Sequence, residues 1–166
     1  HDSSPVILGS DVVNNHIIVG GYDPGLLTIT GNLSGSGEFQ DHVTFAGDVH
    51  IGSIANPISG INAEHLLFGS DARLFVDIAG SNDFDRLWAT DITLDGLLTI
   101  SLLDLFKPQA GDIFKLFEAE SFGGSFSSIN FLGLGDLGFA AEWIFEANRQ
   151  AWTYQVLRVQ WQFSKT

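Results

Sequence analysis

The chain has no cysteine and no methionine among its 166 residues, and only seven lysines and arginines. Without cysteine there is no disulfide framework, no thiolate metal site and no thiol nucleophile. The basic residues, Arg73, Arg86, Lys107, Lys115, Arg149, Arg158 and Lys165, stand singly along the sequence. Phosphate binding needs clustered cations, so nucleic acid is excluded as a partner and an anionic membrane surface is poorly served. No apolar run approaches the roughly 20 residues of a spanning helix, so membrane insertion is not expected.

What is present points to one fold class. Nineteen glycines and 14 phenylalanines in a chain that is 45% hydrophobic describe short apolar segments broken by turns, an all-β profile. The length suits one domain with a sizeable core. Twenty acidic residues give a net charge of -13, which suits a protein working outside the cell or one that meets divalent cations. A first residue of histidine rather than methionine is what signal-peptide removal leaves, so an extracellular or cell-surface location is expected.

Strand signals run the length of the chain. Val6, Ile7 and Leu8 form one apolar segment and Ile17, Ile18 and Val19 a second, after the turn signal Asn14-Asn15. Leu74, Val76 and Ile78 share one face at the two-residue period, with Asp77 on the other. Asp95-Gly96 separates two strand-like runs as a hairpin or corner turn. Ile113 to Phe117 reads as a deeply buried strand. Leu137 to Glu146 carries the one helix-like spacing, although Glu142 to Glu146 is read as strand. At Val156-Leu157 the apolar phase slips by one, which a β-bulge would absorb. Residues 1–21 are read as an N-terminal strand segment open to exchange between subunits, and residues 22–166 as a single all-β domain.

The runs Gly35-Ser36-Gly37-x-Phe39, Val43-x-Phe45-x-Gly47, Leu74-x-Val76-x-Ile78-x-Gly80 and Ile92-x-Leu94-x-Gly96-x-Leu98-x-Ile100 follow one another in order. They precede Phe106-x-Pro108-x-x-Gly111-Asp112-x-Phe114 and Gly124-x-Phe126-x-x-Ile129. This order resembles the Gly-rich β-solenoid-type regions of bacterial secreted and surface proteins, such as autotransporter passengers and proteins with a PEP-CTERM sorting tail. No such tail is found at Gln160 to Thr166. The resemblance implies a stalk, adhesin or matrix component. The expected fold is a short β-solenoid or a jelly-roll-like sandwich with antiparallel C-terminal strands.

Candidate sites are few. There is no Gly-x-Ser-x-Gly element, and the acidic residues sit mostly at turns, so no catalytic residue is assigned and the chain is read as non-enzymatic. Asp83 and Asp85, in the turn-like Ser81 to Asp85, are candidate calcium ligands, competing with a simple solvated turn. No cofactor is expected, with calcium kept as a candidate ion. Trp88, Trp143, Trp152 and Trp161 would make a sugar-stacking platform, against the plainer reading as core residues. His1, with His16, His42, His50 or His65, gives the elements of a copper site, the least favoured reading.

Two functions of different class follow. In the first, copies of the chain form a filament, matrix or surface layer through strand edges, with Val6, Ile7, Leu8, Ile17, Ile18 and Val19 as the interface. In the second, a monomeric adhesin or carbohydrate-binding module meets extracellular polysaccharide through the tryptophans.

Overall fold

A computed structural model describes residues 4–24, 26–103, 105–133, 139–147 and 153–161, the last two stretches as backbone alone. The chain builds its sheets layer by layer. The first layer is β1 (Val6–Leu8) and β2 (Val12–Asn14); the second is β3 (Ile17–Val19), β4 (Leu27–Ile29) and β5 (Leu33–Gly35). Then come β6 (Glu38–Phe45) with β7 (Asp48–Ile51), and β8 (Gly60–Phe68) with β9 (Arg73–Gly80) and the short β10 (Asp83–Phe84). Next are β11 (Arg86–Leu94) with β12 (Leu97–Leu102), and β13 (Ile113–Gly124) with β14 (Ser128–Leu132). Finally β15 (Phe139–Ala147) and β16 (Thr153–Trp161) follow. No helix occurs among the described residues, and so none long and apolar enough to cross a membrane.

From β1 to β14, apart from the short β10 beside β9, successive strands do not lie beside one another. One sheet has the order β1-β4-β6-β8-β11-β13-β16-β15, with β3 beside β6; the other has the order β14-β12-β9-β7-β5-β2, with β10 beside β9. From β1 to β13 in the first sheet and from β2 to β14 in the second, every pairing along these orders is parallel. Among the described residues the antiparallel strand pairs are β10 with β9, β16 with β13 and β15 with β16, beside the isolated antiparallel bridges Gly21 to His42 and Gly35 to Gly52. The all-β class holds, but the expected short β-solenoid or jelly-roll-like sandwich is corrected to two largely parallel sheets, to which the C-terminal β16 and β15 add as antiparallel strands. The physical reason lies at the corners. A turn such as Asp95-Gly96 carries the chain from β11 in one sheet to β12 in the other, so the next strand of the same sheet begins only after a full crossover.

The corners stack on one another, and Gly96 shows what this demands. Its φ is 72°, and a Cβ there would lie 2.2 Å from the carbonyl oxygen of Ala72, in the corner one layer earlier. The same Ala72 oxygen accepts the amide of Leu97, while the oxygen of Gly96 accepts the amide and the hydroxyl of Ser127 in the corner one layer later. Only glycine fits between two such carbonyl-bonded layers.

Between the sheets lies a single core. Leu74, Val76 and Ile78 are fully buried, as the alternation implies, and Leu33, Val49, Leu74, Leu98 and Ile129 stand in one register column. Each large apolar side chain so buried contributes about 1.5–3 kcal/mol. In the first sheet the inward column Phe39, Ala63, Ala89, Ala119 is followed by Val43, Leu66, Ile92, Phe122. Two consecutive residues between these columns face outward in β8, β11 and β13, so each layer bends at the same level. In β6 a third is accommodated by a register shift, where Asp41 takes a φ of 56° and its amide donates to the Glu64 carboxylate.

Glu142 to Glu146 lie within β15, in agreement with the strand reading. The bulge expected at Val156-Leu157 belongs to the partner strand. β15 and β16 pair regularly through that point, and the register shift falls between Lys115 and Phe117, leaving Leu116 as the extra residue.

Candidate functional site

Strands β1, β2 and β3 each have only one paired edge. β1 pairs with β4, β2 with β5 and β3 with β6, and among the described residues no strand occupies their other edges. Each therefore presents a row of free backbone donors and acceptors at the same end of the molecule. The side chains there are apolar and open to solvent: Ile7 is 66% exposed, Val13 67% and Val19 62%, with Val6 and Ile17 more than half exposed. Leu8 and Ile18 instead pack partly against the core. All six residues expected at an interface thus lie in two edge strands, and the structure adds Val13.

The charge pattern sharpens this. From Ser4 to Tyr22 Asp11 is the only residue among Asp, Glu, Lys and Arg, in a chain whose net charge is -13. Lysines and bulges are the usual devices that blunt an edge, and neither occurs here; only Pro5 precedes β1.

At the inner side of this edge Asn14 is buried and holds the second turn together. Its side-chain amide donates to the Glu38 carbonyl at 3.1 Å, and its Oδ1 accepts the amide of His16 at 3.1 Å. Replacing Asn14 by alanine leaves these groups without partners, and is expected to cost about 1–3 kcal/mol, read as a lower urea midpoint.

Asp85 does not behave as an open calcium ligand. It is fully buried; one carboxylate oxygen accepts the Ser59 amide at 2.7 Å and the other accepts the Asp77 amide at 2.8 Å. Its own amide donates to the Asp77 carbonyl, and the next amide, of Arg86, donates to Ser59. Asp85 thereby clasps the segment before β8 to β9. Burial pushes its carboxyl up to about 7, opposed by the two amides and reinforced by Asp77 and Asp83. Asp83 is exposed in β10, and no group of three or more histidines and carboxylates arranged for a metal ion occurs among the described residues.

Of the four tryptophans, only Trp88 has a described side chain. It is partly exposed and lies over Gly60, where a Cβ would come within 2.5 Å of the indole. Trp143 pairs in register with Leu157 and Trp161 with Phe139, whereas Trp88 shares its level with Glu118 and Tyr154, so the backbone does not set these three in one column. Trp152 and His1, and with His1 the copper reading, lie outside the described residues.

Stacking also assembles a group that the linear sequence hid. At the bend, His42, His65, Asp91 and Ser121 share one register column. The two imidazoles stack with centroids 4.2 Å apart, and Nδ1 of His65 contacts the Asp91 carboxylate. Asp91 sits between His65 and Ser121, whereas a nucleophilic relay requires histidine between serine and aspartate.

Comparison with protein-family models gave no match, and no curated protein matched the chain.

Proposed function

We propose that the protein is a non-enzymatic, extracellular structural subunit whose copies associate through the edges of β1, β2 and β3. The observation that carries this reading is the unpaired, apolar and nearly uncharged end formed by Val6, Ile7, Val13, Ile17 and Val19. A second copy is the partner that fits, because it offers edges of both sheets at the same separation. A two-fold axis normal to the sheets sets β1 against its counterpart and β2 against its counterpart, each antiparallel, and so satisfies both rows of backbone groups at once. Like-edge pairing closes a dimer; a filament, matrix or surface layer also uses the far edges, β14 and β15. The strong negative charge elsewhere discourages other contacts and directs association to the ends. Calcium enters as an ion that lowers repulsion between the acidic copies. The likeness of the Gly-rich runs to secreted bacterial stalks and matrix proteins supports the extracellular setting.

Negative-stain electron microscopy and light scattering across a concentration series, with and without calcium, test the reading. The wild-type chain is expected to associate. The double variant Ile7→Glu, Val19→Glu, altered only at exposed positions, is expected to stay monomeric with an unchanged circular dichroism spectrum. Deleting residues 1–19 is expected to abolish polymer as well. A wild-type chain that remains monomeric at every concentration, or a double variant that assembles like it, sinks the proposal.

A further inference from the structure

On the outer face of the first sheet a cleft of about 340 Å³ opens where β10 turns into β11 and β13 begins. Trp88 lines it, its indole held against the backbone of Gly60, with Arg86, Lys115, Glu118, Ser81 and Asn82 around it. The Arg86 guanidinium lies 4.5 Å from the Phe84 ring centroid, which fixes its position, and it has no carboxylate partner among the described residues. Arg73, by contrast, is held by Asp48 through two hydrogen bonds on the other sheet.

The convergence of charge matters because cations are so scarce. Residues 4–133 contain Arg73, Arg86, Lys107 and Lys115, and two of these four line this one cleft. A net charge of -13 repels anions from most of the surface, so the Arg86 end of this cleft, away from Glu118, is where an anion is favoured.

We infer that this cleft binds an acidic saccharide, a uronate-bearing glycan whose pyranose face stacks on Trp88 and whose carboxylate is held by Arg86. The chemistry of each part fits. An indole face takes the C–H face of a sugar ring, and a planar guanidinium forks onto a carboxylate through two parallel hydrogen bonds. Glu118 and Asn82 supply an acceptor and an amide for ring hydroxyls, which a simple anion site would not need. The inference is independent of self-association, since the cleft lies on a sheet face away from the β1, β2 and β3 edges.

Calorimetric titration of the full chain with an oligogalacturonate tests it, beside a neutral cello-oligosaccharide and inorganic sulfate. Binding of the oligogalacturonate with a dissociation constant on the order of 1 mM or tighter is expected. Arg86→Gln and Trp88→Phe are each expected to weaken it about tenfold. Trp88→Phe keeps an aromatic ring over Gly60, and its far-ultraviolet spectrum and melting temperature report on folding. Arg73→Gln, remote from the cleft, is expected to leave binding unchanged. Absence of binding, equal binding of the neutral sugar, competition by sulfate at equal affinity, or wild-type affinity in both variants would overturn the assignment.

Discussion

A chain carrying Gly96→Val is expected to lose about 4 kcal/mol of stability or more, a large part of the 5–15 kcal/mol that a domain of this size has. Three penalties coincide at the site. Gly96 holds a φ of 72°, which a β-branched residue adopts only under strain. The added Cβ would meet the Ala72 oxygen at 2.2 Å and the Gly69 oxygen at 2.8 Å, both backbone atoms with no rotamer to yield. Moving the corner to relieve the clash breaks the bonds that Ala72 makes to Leu97 and that Gly96 makes to Ser127. Urea titration followed by circular dichroism reads the loss. A variant within about 1 kcal/mol of wild type would show that the corners do not stack as described.

The same glycine explains which part of the fold was open to sequence reading. That Leu74, Val76 and Ile78 face one way follows from alternation, a local property of the strand. Whether Asp95-Gly96 is a hairpin or a corner is not local. Both need a tight turn with a left-handed residue, and what separates them is the carbonyl of Ala72, which a reader of residues 94–97 does not see. The parallel stacking did leave a trace, in Ile61-x-Ala63-x-x-Leu66-x-Phe68, Leu87-x-Ala89-x-x-Ile92-x-Leu94 and Phe117-x-Ala119-x-x-Phe122-x-Gly124. These are one pattern repeated, with the small alanine and the two outward residues marking the bend of each layer. Connecting loops of unequal length hide its period.

The candidate sites divide along the same line. Val6 to Leu8 and Ile17 to Val19 are legible as strands, but that they are edge strands depends on which layers stack against them. His42, His65 and Asp91 meet only because β6, β8 and β11 lie side by side. Asp83 and Asp85 look alike in sequence. Phe84 turns into the core and Asp85 is buried with it, its carboxylate held by the amides of Ser59 and Asp77, while Asp83 stays in solvent. A polar turn and a buried clasp have the same composition; the inward phenylalanine is the one signal that separates them.

Burial of Asp85 gives the protein an unusual response to pH. In the unfolded chain its carboxyl ionises near 3.8, as an ordinary aspartate does, whereas in the folded protein it is pushed up to about 7. Between these two values the folded state holds a proton that the unfolded state has released, so stability falls as pH rises through this window. Above about 7 both states are ionised and the penalty is complete, at most about 4 kcal/mol and less where the clasp relaxes toward water. Asp77 is shifted the same way by burial, with His50 opposing, and adds to the slope. Repulsion among the many surface carboxylates has the same sign. The urea midpoint is therefore expected to rise as pH is lowered from 8 to about 5, the reverse of ordinary acid destabilisation. Asp85→Asn separates the clasp from the surface. The amide keeps one acceptor for a backbone N–H but turns a donor toward the other, so the variant is expected to be less stable than wild type at pH 5 by about 1–3 kcal/mol. With nothing left to ionise at this position, its stability is expected to vary less between pH 5 and 8 than that of wild type. An Asp85→Asn variant with the full wild-type slope would assign the pH response to the surface charge instead.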